Sequence, residues 1–181
     1  MAELTLQLAA SPERAWARFA SADAASAALP SPLKHALGAS SVSVLATGLG
    51  WALRPGATVG GVVLHALAAV VGYMGGAACA VELGGRYVAA PDVAPEAISR
   101  FASGAVLPVA VSGTLNVIPL LPMSFLLALA GAAASVHSGW IGASQMLALE
   151  GQPRKRAAVV PAGVAVGLVL LATLARTVLP I

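Results

Sequence analysis

Charged residues are scarce in this sequence, and their scarcity excludes an ordinary water-soluble domain. Only 9% of the 181 residues are charged, whereas 59% are hydrophobic. Soluble domains carry about 25% charged residues, so this chain has too few to cover a surface in water. The composition indicates a protein surrounded by lipid. The net charge of +3 comes from basic residues scattered along the chain, and without a basic patch we expect no nucleic-acid partner.

Cysteine and catalytic signatures are nearly absent as well. The single cysteine, Cys79, lies in an apolar run, so no intramolecular disulfide is possible and we interpret the residue as a small buried hydrophobe. There is no HExxH motif, and the segment Gly142-Ala143-Ser144-Gln145 lacks the glycine expected after an intramembrane nucleophilic serine. The sequence therefore predicts a protein that is not an enzyme.

Long uncharged stretches dominate what is present. Residues 101–149 contain no Asp, Glu, Lys or Arg, and the segment Ile118-Pro119-Leu120-Leu121-Pro122 interrupts them near the middle. This pattern predicts two membrane-spanning helices joined by a short turn, with Pro108 kinking the first of them. Extended to the whole chain, it predicts an all-α polytopic bundle of five transmembrane helices. The expected spans are residues 33–53, 57–81, 101–118, 123–149 and 157–179, within a membrane domain of residues 32–181.

Residues 1–31 are expected to form a cytoplasmic segment in front of this domain. No basic cluster precedes their first apolar run, so we expect no cleavable signal peptide. Ser11 and Pro12 begin a short amphipathic helix that we expect to reach about Ala28. Trp16 on this helix has two interpretations. It is either an aromatic anchor at headgroup level or a contact between the helix and the membrane domain.

Basic residues segregate to one side of the five-span topology. Eight lie on the side of the N-terminal segment, and only Arg54 and Arg176 lie on the other. The positive-inside rule then places the N-terminus in the cytoplasm and the C-terminus outside. The alanine- and glycine-rich composition is typical of a bacterial protein, so we expect the bacterial inner membrane. The eight residues are Arg14, Arg18, Lys34, Arg86, Arg100 and the interfacial group Arg154, Lys155 and Arg156, which also has the charge to attract anionic lipid.

Small residues recur every four positions in two of the spans. Such ladders let neighbouring helices approach closely, and the fourth span carries two of them, which predicts a place at the centre of the bundle. The expected packing residues are Gly72, Gly76 and Ala80 in the second span and Gly131, Ser135 and Gly139 in the fourth, beside a second ladder of Ala130, Ala134, Ser138 and Gly142.

Three polar side chains inside the spans are candidates for function, because such residues are costly in lipid. His65 and His137 differ in depth by about two helical turns, and no Cys, Asp or Glu accompanies either, so no metal site is predicted. Each histidine has two open interpretations: an axial haem or chlorin ligand among small neighbours, or a hydrogen-bonding group inside the bundle. Asn116 is expected to reach the second span near His65 and to join the helices by hydrogen bonds.

Several soft motifs stand in a characteristic order. They are Pro12-x-x-x-Trp16, Phe101-Ala102 followed by Pro108, Ile118-Pro119, and Ser138-Gly139-Trp140-Ile141-Gly142. In this order the chain resembles the Yip family (Ypt-interacting proteins) of small five-helix membrane proteins, specifically its bacterial branch. His137 and Trp140 depart from the family pattern, in which tyrosines are common there. The resemblance implies the five-helix fold; eukaryotic relatives are associated with prenylated small GTPases and vesicle traffic.

The uncharged spans and their small-residue ladders predict a non-enzymatic interaction or accessory subunit of a membrane assembly. Its expected partners are membrane lipids and other membrane proteins, and it is expected to bind no cofactor or metal. One alternative is a small transporter or channel for a neutral or lipid-like solute, which the Pro108 kink and the proximity of Asn116 and His65 favour. A second alternative is a haem- or pigment-binding subunit that uses His65 or His137.

Overall fold

The computed structural model describes residues 11–22, 32–87, 93–118 and 120–178. Every element in these ranges is helical and none is a strand, which confirms the predicted all-α class. The expected extension of the first helix to Ala28 and the proline of the Ile118-Pro119 turn lie outside the described residues. The elements are α1 (Pro12–Ala22), α2 (Pro32–Ala52), α3 (Val59–Ala69), a π-helical segment (Val70–Gly75), α4 (Gly76–Tyr87), α5 (Pro95–Ala105), α6 (Leu107–Ser112), a 3-10 segment (Gly113–Val117), α7 (Leu121–Gln145) and α8 (Gly151–Ala175).

Four helical stretches are long and apolar enough to cross a membrane. They are Val59–Gly84, Pro95–Val117, Leu121–Gln145 and Gly151–Ala175. This finding agrees with the predicted class of integral membrane protein. Among the described helices, α2 also has the length of a span, with 21 residues, but it does not belong to this apolar set.

Along the middle of α2, buried polar residues face the protein and exposed aliphatic residues face outward. Ser40, Ser43 and Thr47 are buried, and they share one side of the helix at i, i+3 and i+7 spacing. Leu45 and Leu49 on the other side are exposed. The helix is therefore oriented as lipid requires, although its average composition is less apolar than that of the four stretches above.

The centre of the bundle is the third of the expected spans, not the fourth. In the stretch Pro95–Val117, 67% of the membrane window is buried, compared with 28% in Leu121–Gln145. All residues from Phe101 to Ala110 are buried. The prediction of a central fourth span was wrong because its small residues pack on only part of its surface, leaving Leu126 and Leu129 exposed.

The helix of this central span is broken, and side chains of two neighbouring helices form hydrogen bonds with its backbone near the break. The α-helix is interrupted at Val106, two residues before Pro108, which has no N–H to donate. Just after the proline, the N–H of Val109 donates to Ser135 Oγ of α7 at 3.2 Å. On the opposite flank, Ser43 Oγ of α2 donates to the carbonyl of Ala110 at 2.6 Å. Both flanking helices are thus bonded to the central span close to the break, where a low-dielectric surrounding favours hydrogen bonds within the protein.

Trp16 attaches α1 to one end of the bundle. The side chain is fully buried, its Nε1 donates to Ser138 Oγ at 3.0 Å, and its ring stacks on Phe101 with centroids 5.4 Å apart. Of the two interpretations of Trp16, the structure supports the contact between the helix and the membrane domain. Glycines provide the space: a Cβ on Gly104 would lie 2.7 Å from Trp16 Cη2, and one on Gly142 would lie 2.6 Å from Cδ2.

We expect Gly142→Ala to destabilise the protein by about 1–3 kcal/mol, because the added methyl overlaps a fully enclosed indole. The measurement is unfolding of the purified protein in mild detergent. The control is Gly163→Ala, where an added Cβ meets nothing within 4 Å and higher helix propensity favours the variant. Equal stability of the two variants would contradict the packing of Trp16 against Gly142.

Candidate functional site

Asn116 is the centre of a buried hydrogen-bond network. Its Nδ2 donates to Thr47 Oγ1 at 3.2 Å and to Tyr73 Oη at 3.0 Å. Its Oδ1 accepts from Ser124 Oγ at 2.8 Å. Because these partners lie on α2, the π-helical segment and α7, one amide joins four elements of the bundle. Gly113 allows the approach, since a Cβ there would lie 2.5 Å from Tyr73 Oη.

Replacing Asn116 with alanine is expected to lower the free energy of unfolding by about 2 kcal/mol, since three interhelical hydrogen bonds of moderate strength are lost. Thermal or denaturant unfolding in detergent measures the effect. Thr114→Ala, in the same 3-10 segment, removes an exposed hydroxyl that bonds only to the local carbonyl of Val111, so little change is expected. A loss as large for Thr114→Ala as for Asn116→Ala would show that the network itself contributes nothing.

A second cluster lies where α2 ends, α3 begins and α8 ends. We call it the Arg176 cluster; it consists of Trp51, Arg54, His65 and Arg176. The rings of Trp51 and His65 are parallel within 5°, with centroids 3.5 Å apart. Arg176 Nε donates a long hydrogen bond of 3.4 Å to His65 Nδ1. The guanidinium carbons of Arg54 and Arg176 lie 4.8 and 5.7 Å from the Trp51 ring centroid.

The contact with Arg176 determines the tautomer of His65. A guanidinium has donors only, so Nδ1 accepts the hydrogen bond without a proton, and the proton of the neutral ring lies on Nε2. Both Nε2 of His65 and Nε1 of Trp51 are buried without an acceptor among the described residues. Each such N–H costs about 1–3 kcal/mol in desolvation.

Among the described residues, no carboxylate compensates the positive charge of the cluster. Arg176 follows the last residue of α8 and is only 3% exposed. Desolvation by burial lowers the pKa of its guanidinium, although arginine still remains protonated. No carboxylate lies near it along its helix, because Glu150 precedes the whole length of α8. The other described acids, Glu13, Glu82 and Glu96, belong to α1, α4 and the start of α5.

The two histidines are far from equivalent, and the structure does not bring them together. His65 is fully buried, with Trp51 covering one ring face and Arg176 on Nδ1. His137 is exposed and lines a groove of about 450 Å³ with residues of α1, among them Pro12. The described residues include no group of three His, Cys, Asp or Glu suited to a metal ion.

Asn116 contacts the second span as expected, but at Tyr73 rather than near His65. Two helical turns separate Tyr73 from His65 along that span. The Asn116 network and the Arg176 cluster are therefore two separate sets of hydrogen bonds. Thr47 and Trp51, one turn apart on α2, link the two sets along the chain.

The small-residue positions lie at close helix contacts. The glycines of the second span face α8, and those of the fourth span face the central span and α8. A Cβ added at Gly72 would lie 2.8 Å from Ala172 Cβ, and one at Gly76 would lie 2.9 Å from the Ala165 carbonyl oxygen. In the fourth span, a Cβ at Gly131 would lie 2.8 Å from Ser112 Cβ, and one at Gly139 would lie 3.2 Å from Ala158 Cα. Ala80 is fully buried, and Ser135 accepts from the N–H of Val109.

The basic group lies within the first turns of α8, which begins at Gly151. Arg154 Nε donates to the carbonyl of Trp140 at 2.9 Å, and its guanidinium lies 4.2 Å from the Trp140 ring centroid. Lys155 and Arg156 are exposed. The first of these cations therefore joins α8 to α7, and the other two face outward.

Sequence reasoning missed the part that Trp51, Tyr73 and Arg176 take in these sites. Arg176 was counted only as a charge on the side opposite to the N-terminus. A usable signal was present: an arginine follows an apolar helix on the same side as Trp51 and Arg54, within reach of the only histidine of the second span. Comparison with protein-family models, with curated proteins and with solved structures finds no match for this chain.

Proposed function

We propose that this chain is a non-enzymatic integral membrane protein of Yip type, an interaction or accessory subunit of a membrane assembly. One observation carries the proposal: the described helices use buried polar side chains to bond one another and present large apolar side chains outward. Asn116, Ser43 and Ser135 all bond across helices. A bundle of this kind offers other membrane proteins and lipids a rigid surface.

The proposed contact surface is the outward face of α2 and α3. It has the longest row of exposed large apolar residues in the described chain, continued by the π-helical segment. Lipid or a partner helix of complementary shape covers such a face in the membrane. Its members are Val42, Leu45, Leu49, Leu53, Val59, Val63, Leu64, Leu67, Val70 and Val71.

We further propose that α2 is a fifth span. Its burial pattern supports this, because Ser40, Ser43 and Thr47 are all enclosed by the bundle and none has to meet lipid. Lys34 lies in its first turn, from which a lysine side chain reaches the headgroups. Five spans, with α1 as an amphipathic cytoplasmic helix in a bacterial inner membrane, complete the proposed topology.

This topology predicts opposite labelling of two cysteines introduced into a Cys79→Ala background. With a membrane-impermeant maleimide on intact cells, Ala57→Cys in the α2–α3 turn is expected to react and Glu13→Cys on α1 to be protected. Permeabilised cells serve as the control, in which both positions react. If α2 did not cross the membrane, the two positions would lie on one side and would label alike.

The accessory role predicts crosslinking from the α2–α3 face. A photoreactive phenylalanine in place of Leu45 is expected to join the protein to other membrane proteins in native membranes. The control is the same residue in place of Leu129, which is also exposed, on α7. Mass spectrometry of the adducts identifies the partner. Adducts with lipid alone from both positions, or equal protein adducts from both, would argue against a partner on this face.

A further inference from the structure

We propose that the Arg176 cluster binds a phosphate group, presented either by an anionic phospholipid headgroup or by free phosphate. The site lies outside the α2–α3 contact surface of the accessory role and does not depend on it. Three kinds of donor meet there: two guanidiniums, the indole N–H of Trp51 and the Nε2–H of His65. Among the described residues, none accepts a hydrogen bond from the two aromatic N–H groups, and Arg176 has one neutral acceptor, His65 Nδ1.

The first reason is the orphaned donors. Trp51 is 3% exposed and His65 is fully buried, so water does not reach their N–H groups as it reaches a surface residue. An N–H bond lies in the plane of its ring, and the two rings are stacked face to face. Both donors therefore point out from the edges of the stack. Buried donors in folded proteins are nearly always paired, so two in contact on one stack indicate a ligand with acceptor atoms.

The second reason is charge, which makes the ligand an anion rather than a neutral acceptor. Arg54 and Arg176 both approach the Trp51 ring, and Arg176 is buried. A buried cation requires an opposite charge or a dense set of hydrogen bonds. His65 provides Arg176 with one neutral acceptor, Nδ1, which leaves most of the guanidinium donors to the ligand.

The third reason concerns geometry and position. A guanidinium offers a planar fork of donors that fits the oxygens of an oxyanion, and a tetrahedral phosphate has oxygens enough for arginine, indole and imidazole donors together. A halide offers a single atom to all of them. The cluster also lies at the ends of α2 and α8 and two turns into α3. In the proposed five-span topology, the ends of α2 and α8 lie at the membrane surface, where phospholipid headgroups are found.

The test is the thermal unfolding of the purified full chain in neutral detergent during titration of four additives. They are phosphatidylglycerol, diacylglycerol with the same acyl chains, inorganic phosphate, and chloride at matched ionic strength. The proposal expects a saturable rise in Tm with phosphatidylglycerol, with inorganic phosphate, or with both. A response to the lipid alone identifies a headgroup as the source, and a response to both identifies the phosphate itself. Equal shifts with diacylglycerol or chloride would overturn the proposal.

Substitution at Arg176 tests the location of the site. Arg176→Gln is expected to weaken phosphate binding by about tenfold or more, the usual effect of losing a charge-assisted hydrogen bond. Arg86→Gln is the matched control, because Arg86 is exposed and lies at the far end of the second span. If Arg176→Gln binds as tightly as the control, the ligand is held elsewhere and the proposal fails.

Trp51→Phe separates the role of Trp51 in phosphate binding from its role in packing. It also tests the location of the site if Arg176→Gln does not fold. Phenylalanine retains a ring to stack on His65 but removes the N–H. Because a buried unpaired donor is lost, the Tm without additive is expected to stay the same or to rise, while the shift caused by the phosphate ligand falls. A lower Tm without additive, together with an unchanged shift, would show that Trp51 serves packing only. None of these outcomes bears on crosslinking from Leu45.

Discussion

In a membrane every buried polar group requires a hydrogen-bond partner inside the protein. In the central span this requirement accounts for the contacts with both flanking helices. Its helix breaks before Pro108, in the least solvated part of the bundle. Close to the break, Ser135 of α7 accepts from the N–H of Val109 and Ser43 of α2 donates to the carbonyl of Ala110. Two hydroxyls thus tie the flanking helices to the centre. The same requirement explains why α2 turns its serines and threonine inward.

The Asn116 network satisfies the requirement in full, and the Arg176 cluster does not. Asn116 uses both its donor and its acceptor atoms within the protein, so its role is to hold helices together. In the Arg176 cluster, two aromatic N–H groups lack acceptors among the described residues, and the buried guanidinium has one neutral acceptor, His65 Nδ1. The other buried side-chain polar atoms of the described residues have hydrogen-bond partners. We therefore assign a ligand to this cluster.

One expectation failed, and two others stayed open or imprecise, because sequence periodicity does not say which neighbour a helix face contacts. Two small-residue ladders suggested a central fourth span, yet the third is more deeply buried because helices cover it along its length. Trp16 beside arginines fitted a headgroup anchor as well as a packed residue. Only the glycine-lined space at Gly104 and Gly142 decides for packing. Asn116 was correctly assigned to interhelical bonding, but its partner on the second span is Tyr73 and not a group near His65.

Composition and hydropathy by themselves determined the all-helical class and the match to a membrane, because lipid permits few charges and requires long apolar helices. They also drew attention to His65 and Asn116, since polar side chains are costly in such helices. The tertiary structure decided which helix is central, where Trp16 packs, and that Trp51, His65 and Arg176 come together from three separate elements. Such contacts depend on the rotation and depth of each helix in the bundle, and long-range packing sets these properties.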